Sequence, residues 1–193
     1  MRFEKGHKAA TRQRILEVAS KSFRRDGAAA AGIAGIMGDA GLTNGAFYAH
    51  FESKDALVRE ALANALTDQQ RRLEKDKLNS LDIEGAIRRY LNREHLRDAA
   101  SGCPSAALLP EIARQTKLTR RTYEEGMRSY VSTLAALLPD AGSATSSRRA
   151  MAIFSLMVGT LQLARAVPEA AQAEQILEGG VEAALRLAQT PTC

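Results

Sequence analysis

The sequence predicts an all-α protein in which a small amino-terminal module of three helices precedes a larger helical domain, with about nine helices in all. Apolar residues recur at helical spacing along almost the whole chain. No segment alternates apolar and polar residues as a half-buried strand does, and no repeat of fixed period occurs. The 193 residues are 45% hydrophobic and 25% charged, which is the composition of an ordinary globular chain.

The first helix is expected over Thr11–Arg25. Ile15, Ala19 and Phe23 recur every four residues and therefore share one face of this helix. Gly27 stands where such a helix would end, because glycine readily adopts the left-handed conformation found after helix termini.

Residues 33–51 predict two short helices joined by a tight turn. Ile36 and Met37 give the first helix an apolar face, and Gly41 suits the turn that follows it. Thr43 is a good N-cap for the second helix, which is expected to run to about Phe51. This arrangement is the helix-turn-helix pattern, in which the second helix enters the major groove of DNA.

Helical segments continue to the end of the sequence. Ser53 is a good N-cap for a long helix that extends through Leu73. Five further segments show helical periodicity: 83–96, 106–113, 119–138, 148–167 and 174–188. The last two are unusually apolar for the end of a chain. They either pack against a second copy in a two-fold four-helix contact or complete the core of the monomer.

Positive charge and aromatic residues are concentrated at the amino-terminal end. Residues 1–54 hold nine Lys and Arg against five Asp and Glu, whereas residues 55–193 hold 18 against 17. Five of the nine aromatic residues also lie in the first stretch. We therefore divide the chain into a basic module, residues 1–55, and a nearly neutral domain, residues 56–193. The basic module favours nucleic acid as a partner.

The composition excludes several classes of protein. The two cysteines, Cys103 and Cys193, cannot build a disulfide framework, which favours a reducing compartment. The first residues lack the apolar core of a secretory signal. The most apolar stretch, 150–167, is interrupted by Gln162 and Arg165 and is shorter than the roughly 20 residues of a bilayer span. We expect a cytoplasmic protein that does not contact a membrane.

The run GLTNGAFYAHFESKDAL, residues 41–57, resembles the signature of the TetR/AcrR family of bacterial transcriptional repressors. The predicted first helix, with Phe23 and Gly27, resembles the first helix of that family's DNA-binding module. The remaining residues suit the family's ligand-binding domain in length and helix count. The resemblance implies a homodimeric regulator, most simply a repressor, that binds a palindromic double-stranded operator and is released by a small-molecule effector. One departure is that residues 28–32 lack the Thr or Ser that usually begins the family's second helix.

The resemblance implies DNA contacts for eight residues: Thr43, Asn44, Gly45, Ala46, Tyr48, His50, Lys54 and Arg12. The first of these would cap the recognition helix and reach a phosphate or a base edge, and the next three would face the bases. The tyrosine, histidine and lysine would contact phosphates. The arginine belongs to a basic arm that would add phosphate or minor-groove contacts, together with Arg2, Lys5, His7 and Lys8.

Alternatives stay open for several of these residues. Tyr48 is either a phosphate contact or a half-buried surface aromatic, and His50 is either a phosphate contact or a capping or solvated residue. The basic arm is either a DNA contact or a disordered solubilising tail. Phe47 and Phe51, four residues apart, are expected in the core of the module.

The resemblance also implies a cavity for a small apolar or amphipathic effector in the second domain. Candidate lining residues, each of which is alternatively an ordinary core residue, are Tyr90, His95, Cys103, Tyr123, Met127, Tyr130, Phe154, Met157 and Leu161. The cysteine lies in a Ser-Gly-Cys-Pro sequence between two predicted helices. It is either a small packed residue or a reactive thiol that senses electrophiles or oxidants.

Two other classes of protein fit the sequence less well. An enzyme is not expected, because the three histidines are not spaced with Cys, Asp or Glu as a metal site. Neither a Gly-rich phosphate loop nor a Gly-x-Ser-x-Gly elbow occurs, so no cofactor is expected. A helical small-molecule-binding or interaction protein without a DNA target would leave the basic module unexplained.

Overall fold

The computed structural model describes residues 2–189, with side chains from residue 6 onward. Over this range the chain forms nine α-helices, one 3₁₀ helix and no strand, so the predicted all-α class is confirmed. The 3₁₀ helix spans Asn44–Ala49. The α-helices are α1 (Arg2–Asp26), α2 (Ile33–Asp39), α3 (Lys54–Leu78), α4 (Ile83–Tyr90), α5 (Arg93–Arg97), α6 (Pro104–Ile112), α7 (Lys117–Ala135), α8 (Ser146–Ala166) and α9 (Ala170–Gln189).

The amino-terminal module is built around one hydrophobic core. Ile15, Phe23, Phe47 and Phe51 are buried in it, as their spacing predicts. The same core also takes in the first half of α3, including Leu57, Leu62 and Leu66, and the inner face of α6, through Leu108 and Ile112. The two parts of the chain are therefore packed together through α3 and α6. The division at residue 55, which falls in the first turn of α3, stays a prediction.

Several helix boundaries follow from local chemistry. The Ser53 side chain accepts a hydrogen bond from the backbone N–H of Ala56 at 3.1 Å and so caps α3, as predicted. Gly27 follows the last residue of α1, and Gly41 lies in the turn after α2. Both have positive φ angles, 86° and 68°. Gly32 caps α2 without any side-chain hydrogen bond, which agrees with the missing hydroxyl noted in the sequence.

The structure differs from the predicted helices in four places. The helix predicted from Thr11 begins at Arg2, so the basic arm is an extension of α1. The recognition helix is a 3₁₀ helix rather than an α-helix. Thr43 occupies its N-cap position but makes no side-chain capping bond, so the predicted cap is wrong in that respect. The segment after Ile83 splits into α4 and α5, because the Asn92 side chain caps a new helix.

The second domain is a bundle of α4–α9 with the rest of α3. Its core includes Ile153, Met157 and Leu161 of α8, each fully buried. Helices α8 and α9 approach closely at Gly180, where an added Cβ would lie 2.3 Å from Cγ2 of Thr160. Within residues 2–189, none of the helices is long and apolar enough to cross a membrane.

Candidate nucleic-acid interface and effector cleft

The 3₁₀ helix presents a small exposed surface on a buried aromatic support. Phe47 is 1% exposed and stacks on Phe51 with ring centroids 5.7 Å apart. The adjacent Tyr48 is 75% exposed and packs edge-on against the Phe47 ring. The predicted DNA contacts at the start of this helix differ in exposure. Thr43, Asn44 and Gly45 are exposed, and Ala46 is half-buried. The segment can therefore touch a partner without unpacking the module.

His50 and Lys54 lie at the end of this surface. His50 is half-buried, and its Nδ1 has no hydrogen-bond partner among the described residues. Burial, and then the cations Lys8 and Arg12, lower the pKa of this imidazole below its ordinary value. The Lys54 ammonium donates to the carbonyl of Ala29 at 3.2 Å, which places it beside the α1–α2 turn.

Arg12 joins three elements of the module. Its Nε donates to the carbonyl of His50 at 3.3 Å, and its guanidinium forms an ion pair with Glu60 of α3. The same guanidinium lies over the Phe51 ring, 4.6 Å from the centroid. These contacts hold the 3₁₀ helix between α1 and α3, so Arg12 positions the surface. Direct contact of Arg12 with DNA stays a prediction.

The rest of the basic arm is only partly described. His7 and Lys8 are exposed on the first turns of α1. The side chains of Arg2 and Lys5 lie outside the described part of the chain, and so does Cys193.

A cleft of about 270 Å³ lies in the second domain. Its walls come from the carboxyl-terminal half of α3, from α4, α5 and the loop before α6, from one residue of α7 and from one residue of α1. Four of the predicted lining residues are found there: Tyr90, His95, Cys103 and Tyr130. The cleft has the size of a site for a small molecule rather than for a macromolecule.

A fixed imidazole lies at the inner wall of the cleft. His95 Nδ1–H donates to the carbonyl of Tyr90 at 2.7 Å, and Nε2 accepts from the backbone N–H of Cys103 at 2.9 Å. Nε2 can accept this bond only when the ring is neutral, and burial favours the same state by lowering the pKa of His95. Gly102 is required beside it, because an added Cβ would lie 2.6 Å from Nε2.

The Tyr90 hydroxyl is the unsatisfied group of this wall. Tyr90 is 6% exposed, and its hydroxyl has no hydrogen-bond partner within the described residues. Burial, and then the neighbouring Cys103, raise the pKa of this phenol well above its ordinary value. The phenol is therefore held in its protonated form behind the surface of the cleft.

The other predicted lining residues lie away from this cleft. Tyr123 bonds through its hydroxyl to the Ser105 hydroxyl at 3.0 Å, and Met127 packs half-buried against the core. Phe154, Met157 and Leu161 are buried in the core of the second domain. Effector contact by these five residues stays a prediction.

Three arginines that no sequence pattern singled out also line the cleft: Arg24, Arg72 and Arg89. Arg24, from α1 of the amino-terminal module, donates through Nε to the carbonyl of Ala100 at 2.6 Å. Arg72 of α3 donates to the carbonyl of Ser101 at 3.2 Å. Burial, and then the nearby Arg72, lower the pKa of Arg24 to about 10. No local pattern places Arg24 in the cleft, because its partner there, Ala100, lies 76 residues away in the sequence.

A second link between the two parts of the chain lies at the other end of α6. The Glu111 carboxylate accepts a hydrogen bond from the backbone N–H of Ala28 at 2.8 Å. An added Cβ on Gly27 would lie 2.7 Å from the same carboxylate, so the α1–α2 turn fits closely against α6. The loop before α6 and the last turn of α6 therefore both contact the amino-terminal module.

Comparison with known proteins agrees with this architecture. Residues 15–61 match the family model of the bacterial regulatory proteins of the tetR family. No curated protein matches the chain. Among solved structures, reduced NemR of E. coli is similar over 95% of this chain and 100% of its own, with a TM-score of 0.77 and 18% identity.

Two further solved structures share the fold over nearly their whole length. A TetR-family regulator of Agrobacterium tumefaciens covers 91% of this chain and 98% of its own, with a TM-score of 0.74 and 21% identity. FadR of Bacillus subtilis, solved in complex with stearoyl-CoA, is similar over 93% of this chain and 99% of its own, with a TM-score of 0.64 and 15% identity. The predicted resemblance is confirmed: the chain carries a TetR-type amino-terminal module on the fold of the TetR family of transcriptional regulators.

Proposed function

We propose that the chain is a homodimeric DNA-binding transcriptional regulator, most simply a repressor that leaves a palindromic operator when a small molecule binds. The observation that carries this proposal is the exposed 3₁₀ helix of a TetR-type module, held by buried Phe47 and Phe51. In a dimer, two such surfaces would enter successive major grooves, with half-sites about one helical turn, or roughly 34 Å, apart.

The DNA-binding role is tested by selecting genomic fragments with purified protein, followed by a shift assay on the enriched site. Tyr48→Ala and Lys54→Ala should abolish binding, since both residues border the exposed surface. Lys77→Ala, an exposed lysine at the far end of α3, should bind as the wild type does. With six or more phosphate contacts, wild-type affinity should fall by roughly 10³-fold between 50 and 200 mM salt. No enriched site, together with weak binding to any DNA, would count against the proposal.

The cleft is the proposed effector site. Its mixed lining of apolar side chains and charged residues such as Arg24, Arg72 and Asp76 suits a small amphipathic molecule. FadR, which shares the fold, was solved in complex with stearoyl-CoA, and this supports a ligand-binding role for the chain. The genes beside the enriched operator would indicate which compounds to test for release.

The proposed release mechanism uses α3. This helix begins at Lys54 in the module and forms a wall of the cleft from Ala65 to Asp76. An effector wedged between α3 and the loop before α6 would shift α3 and change the spacing of the two recognition surfaces. Such a molecule releases DNA only if it binds the shifted state more tightly than the DNA-binding state.

The dimer is proposed to form through α8 and α9. A stripe of small and apolar residues runs along α8 at helical spacing: Ala152, Leu156, Gly159 and Leu163. Leu163 is 63% exposed, and an added Cβ on Gly159 would meet nothing within 4 Å. Leu163→Glu should shift the mass measured by light scattering from dimer to monomer. Leu78→Glu, which alters an 86% exposed leucine at the end of α3, should not.

A further inference from the structure

The turn between α6 and α7 carries a group of four cations, flanked by Glu111 on one side and by Glu124 and Glu125 on the other. Residues 112–123 contain four cations and no Asp or Glu, whereas residues 55–193 as a whole carry a net charge of only +1. All four side chains are exposed. We call them the α6–α7 basic cluster, which consists of Arg114, Lys117, Arg120 and Arg121.

The cluster is not balanced by the protein's own carboxylates. Within residues 2–189, none of its four members forms an ion pair. Elsewhere in the second domain seven arginines pair with a carboxylate: Arg71, Arg88, Arg89, Arg93, Arg128, Arg149 and Arg186. The cluster is therefore a group of cations without ion pairs in a domain where most of the other arginines are paired with carboxylates.

The position of the cluster on α7 is unfavourable for the helix itself. Lys117 is the first residue of α7, and Arg120 and Arg121 follow at i+3 and i+4, so all three share one face. The first turn of a helix disfavours cations because it is the positive end of the helix dipole, and this turn contains no acidic residue. Like charges at this spacing also repel each other. An anionic partner would remove both penalties.

The structure places the cluster beside the amino-terminal module. Arg114 follows Glu111 by one helical turn, and Glu111 is bonded to the backbone of Ala28 at 2.8 Å. The next residue of that turn, Ala29, accepts a hydrogen bond from Lys54, the predicted phosphate contact. The α1–α2 turn thus contacts both the last turn of α6, which leads into the cluster, and the start of α3.

We propose that the α6–α7 basic cluster is a second DNA-contacting surface, which binds backbone phosphates of the duplex flanking the segment that the 3₁₀ helix reads. The proposal rests on the proposed DNA-binding function and extends the footprint beyond the helix-turn-helix. Four unpaired guanidinium and ammonium groups on one exposed turn suit phosphate oxygens and carry no base specificity. The cluster would raise affinity for long DNA without changing the sequence that is read.

The test compares a variant that neutralises the cluster with a variant that removes the same charge elsewhere. The cluster variant carries Arg114→Gln, Lys117→Gln, Arg120→Gln and Arg121→Gln. The control variant substitutes four exposed cations outside the cluster that form no ion pair with any described residue: Lys75→Gln, Lys77→Gln, Arg97→Gln and Arg148→Gln. Circular dichroism checks folding. The cluster variant should unfold at a temperature no lower than that of the wild type, because the substitutions remove cations from the positive end of the α7 dipole. If it does not fold, the pair Lys117→Gln and Arg121→Gln replaces it.

Affinity is measured against salt on two duplexes that carry the selected operator. The short duplex ends at the site, and the long duplex adds about one helical turn, about 10 base pairs, on each side. On the long duplex the slope of log K against log salt should be shallower for the cluster variant, by about 0.9 for each phosphate that the variant no longer binds. On the short duplex the slope of the cluster variant should equal that of the wild type. The slope of the control variant should equal the wild-type slope on both duplexes.

The outcomes separate this proposal from the one on which it rests. If wild-type protein binds the long duplex but the cluster variant shows the same slope, the second surface is refuted, and the cluster faces solvent or an acidic protein. An equal decrease in slope on both duplexes refutes the flanking position. If wild-type protein shows no salt-dependent binding to either duplex, the DNA-binding function itself fails.

Discussion

Alanine should have opposite effects at Gly179 and Gly180, although the two residues are neighbours in α9. At position 180 an added Cβ would lie 2.3 Å from Cγ2 and 2.5 Å from Oγ1 of Thr160, whereas at position 179 it would meet nothing within 4 Å. The Cβ of Thr160 itself would lie 2.9 Å away, so no rotamer of the threonine relieves the contact. Helices α8 and α9 would have to separate.

The magnitudes follow from two opposing effects. Overpacking a well-packed core costs about 1–3 kcal/mol, and replacing a glycine inside a helix by alanine gains about 0.5–1 kcal/mol. Gly180→Ala should therefore destabilise the fold by about 0.5–2 kcal/mol, and Gly179→Ala should stabilise it by about 0.5–1 kcal/mol. At roughly 2–4 °C per kcal/mol for a chain of this size, Gly180→Ala should lower Tm by about 1–8 °C and Gly179→Ala should raise it by about 1–4 °C.

The assay is thermal unfolding followed by circular dichroism, with all variants at one protein concentration, because Tm of an oligomer depends on concentration. Adding Thr160→Ala to Gly180→Ala removes the two closest atoms and should recover part of the stability. The reasoning is refuted if Gly180→Ala unfolds at or above the wild-type temperature. A concentration-dependent decrease in stability in Gly179→Ala would instead show that a second copy covers this position.

Two further predictions concern the cleft and the link through α6. Because burial lowers the pKa of His95 below its ordinary value of 6.5, the neutral ring stabilises the fold above that pH, and this stability is lost as the pH falls. His95→Gln should therefore flatten the decline in Tm between about pH 7 and pH 5, and an unchanged decline would contradict the assignment of a neutral ring. Glu111→Ala should cost about 1–3 kcal/mol, since it leaves the buried N–H of Ala28 without its acceptor, whereas Glu111→Gln should cost less. Native-state hydrogen exchange at the Ala28 amide measures this directly, and equal exchange in both variants and the wild type would mean that the bond contributes nothing.

The elements that the sequence predicts well are those decided by local chemistry. Ser53 caps α3 and Gly41 has a positive φ because serine and glycine satisfy those needs within a few residues of chain. Phe47 and Phe51 are expected in the core from their spacing, and the structure confirms this. The motif at residues 41–57 also indicates the family, since its residues are contiguous.

The effector cleft depends on contacts that no local pattern records. Arg24 meets Ala100 across about 75 residues of sequence, and the Tyr90 hydroxyl is left without a partner among the described residues only by the way the helices pack. The division of one predicted helix into α4 and α5 follows from a single capping bond of Asn92, which competes with a continuous helix of similar periodicity. Tertiary packing decided these features.

Arg24 belongs to the helix that opens the proposed DNA-binding module and also to the wall of the cleft. If both sites act as proposed, their coupling must be reciprocal: a molecule that weakens operator binding by a given factor is itself held more weakly, by the same factor, on operator-bound protein. The affinity measured for any candidate compound will therefore depend on whether operator DNA is present in the binding assay. A compound screen carried out with DNA-free protein would give the tightest binding, and the ratio of the two affinities would report the strength of induction before any transcription is measured.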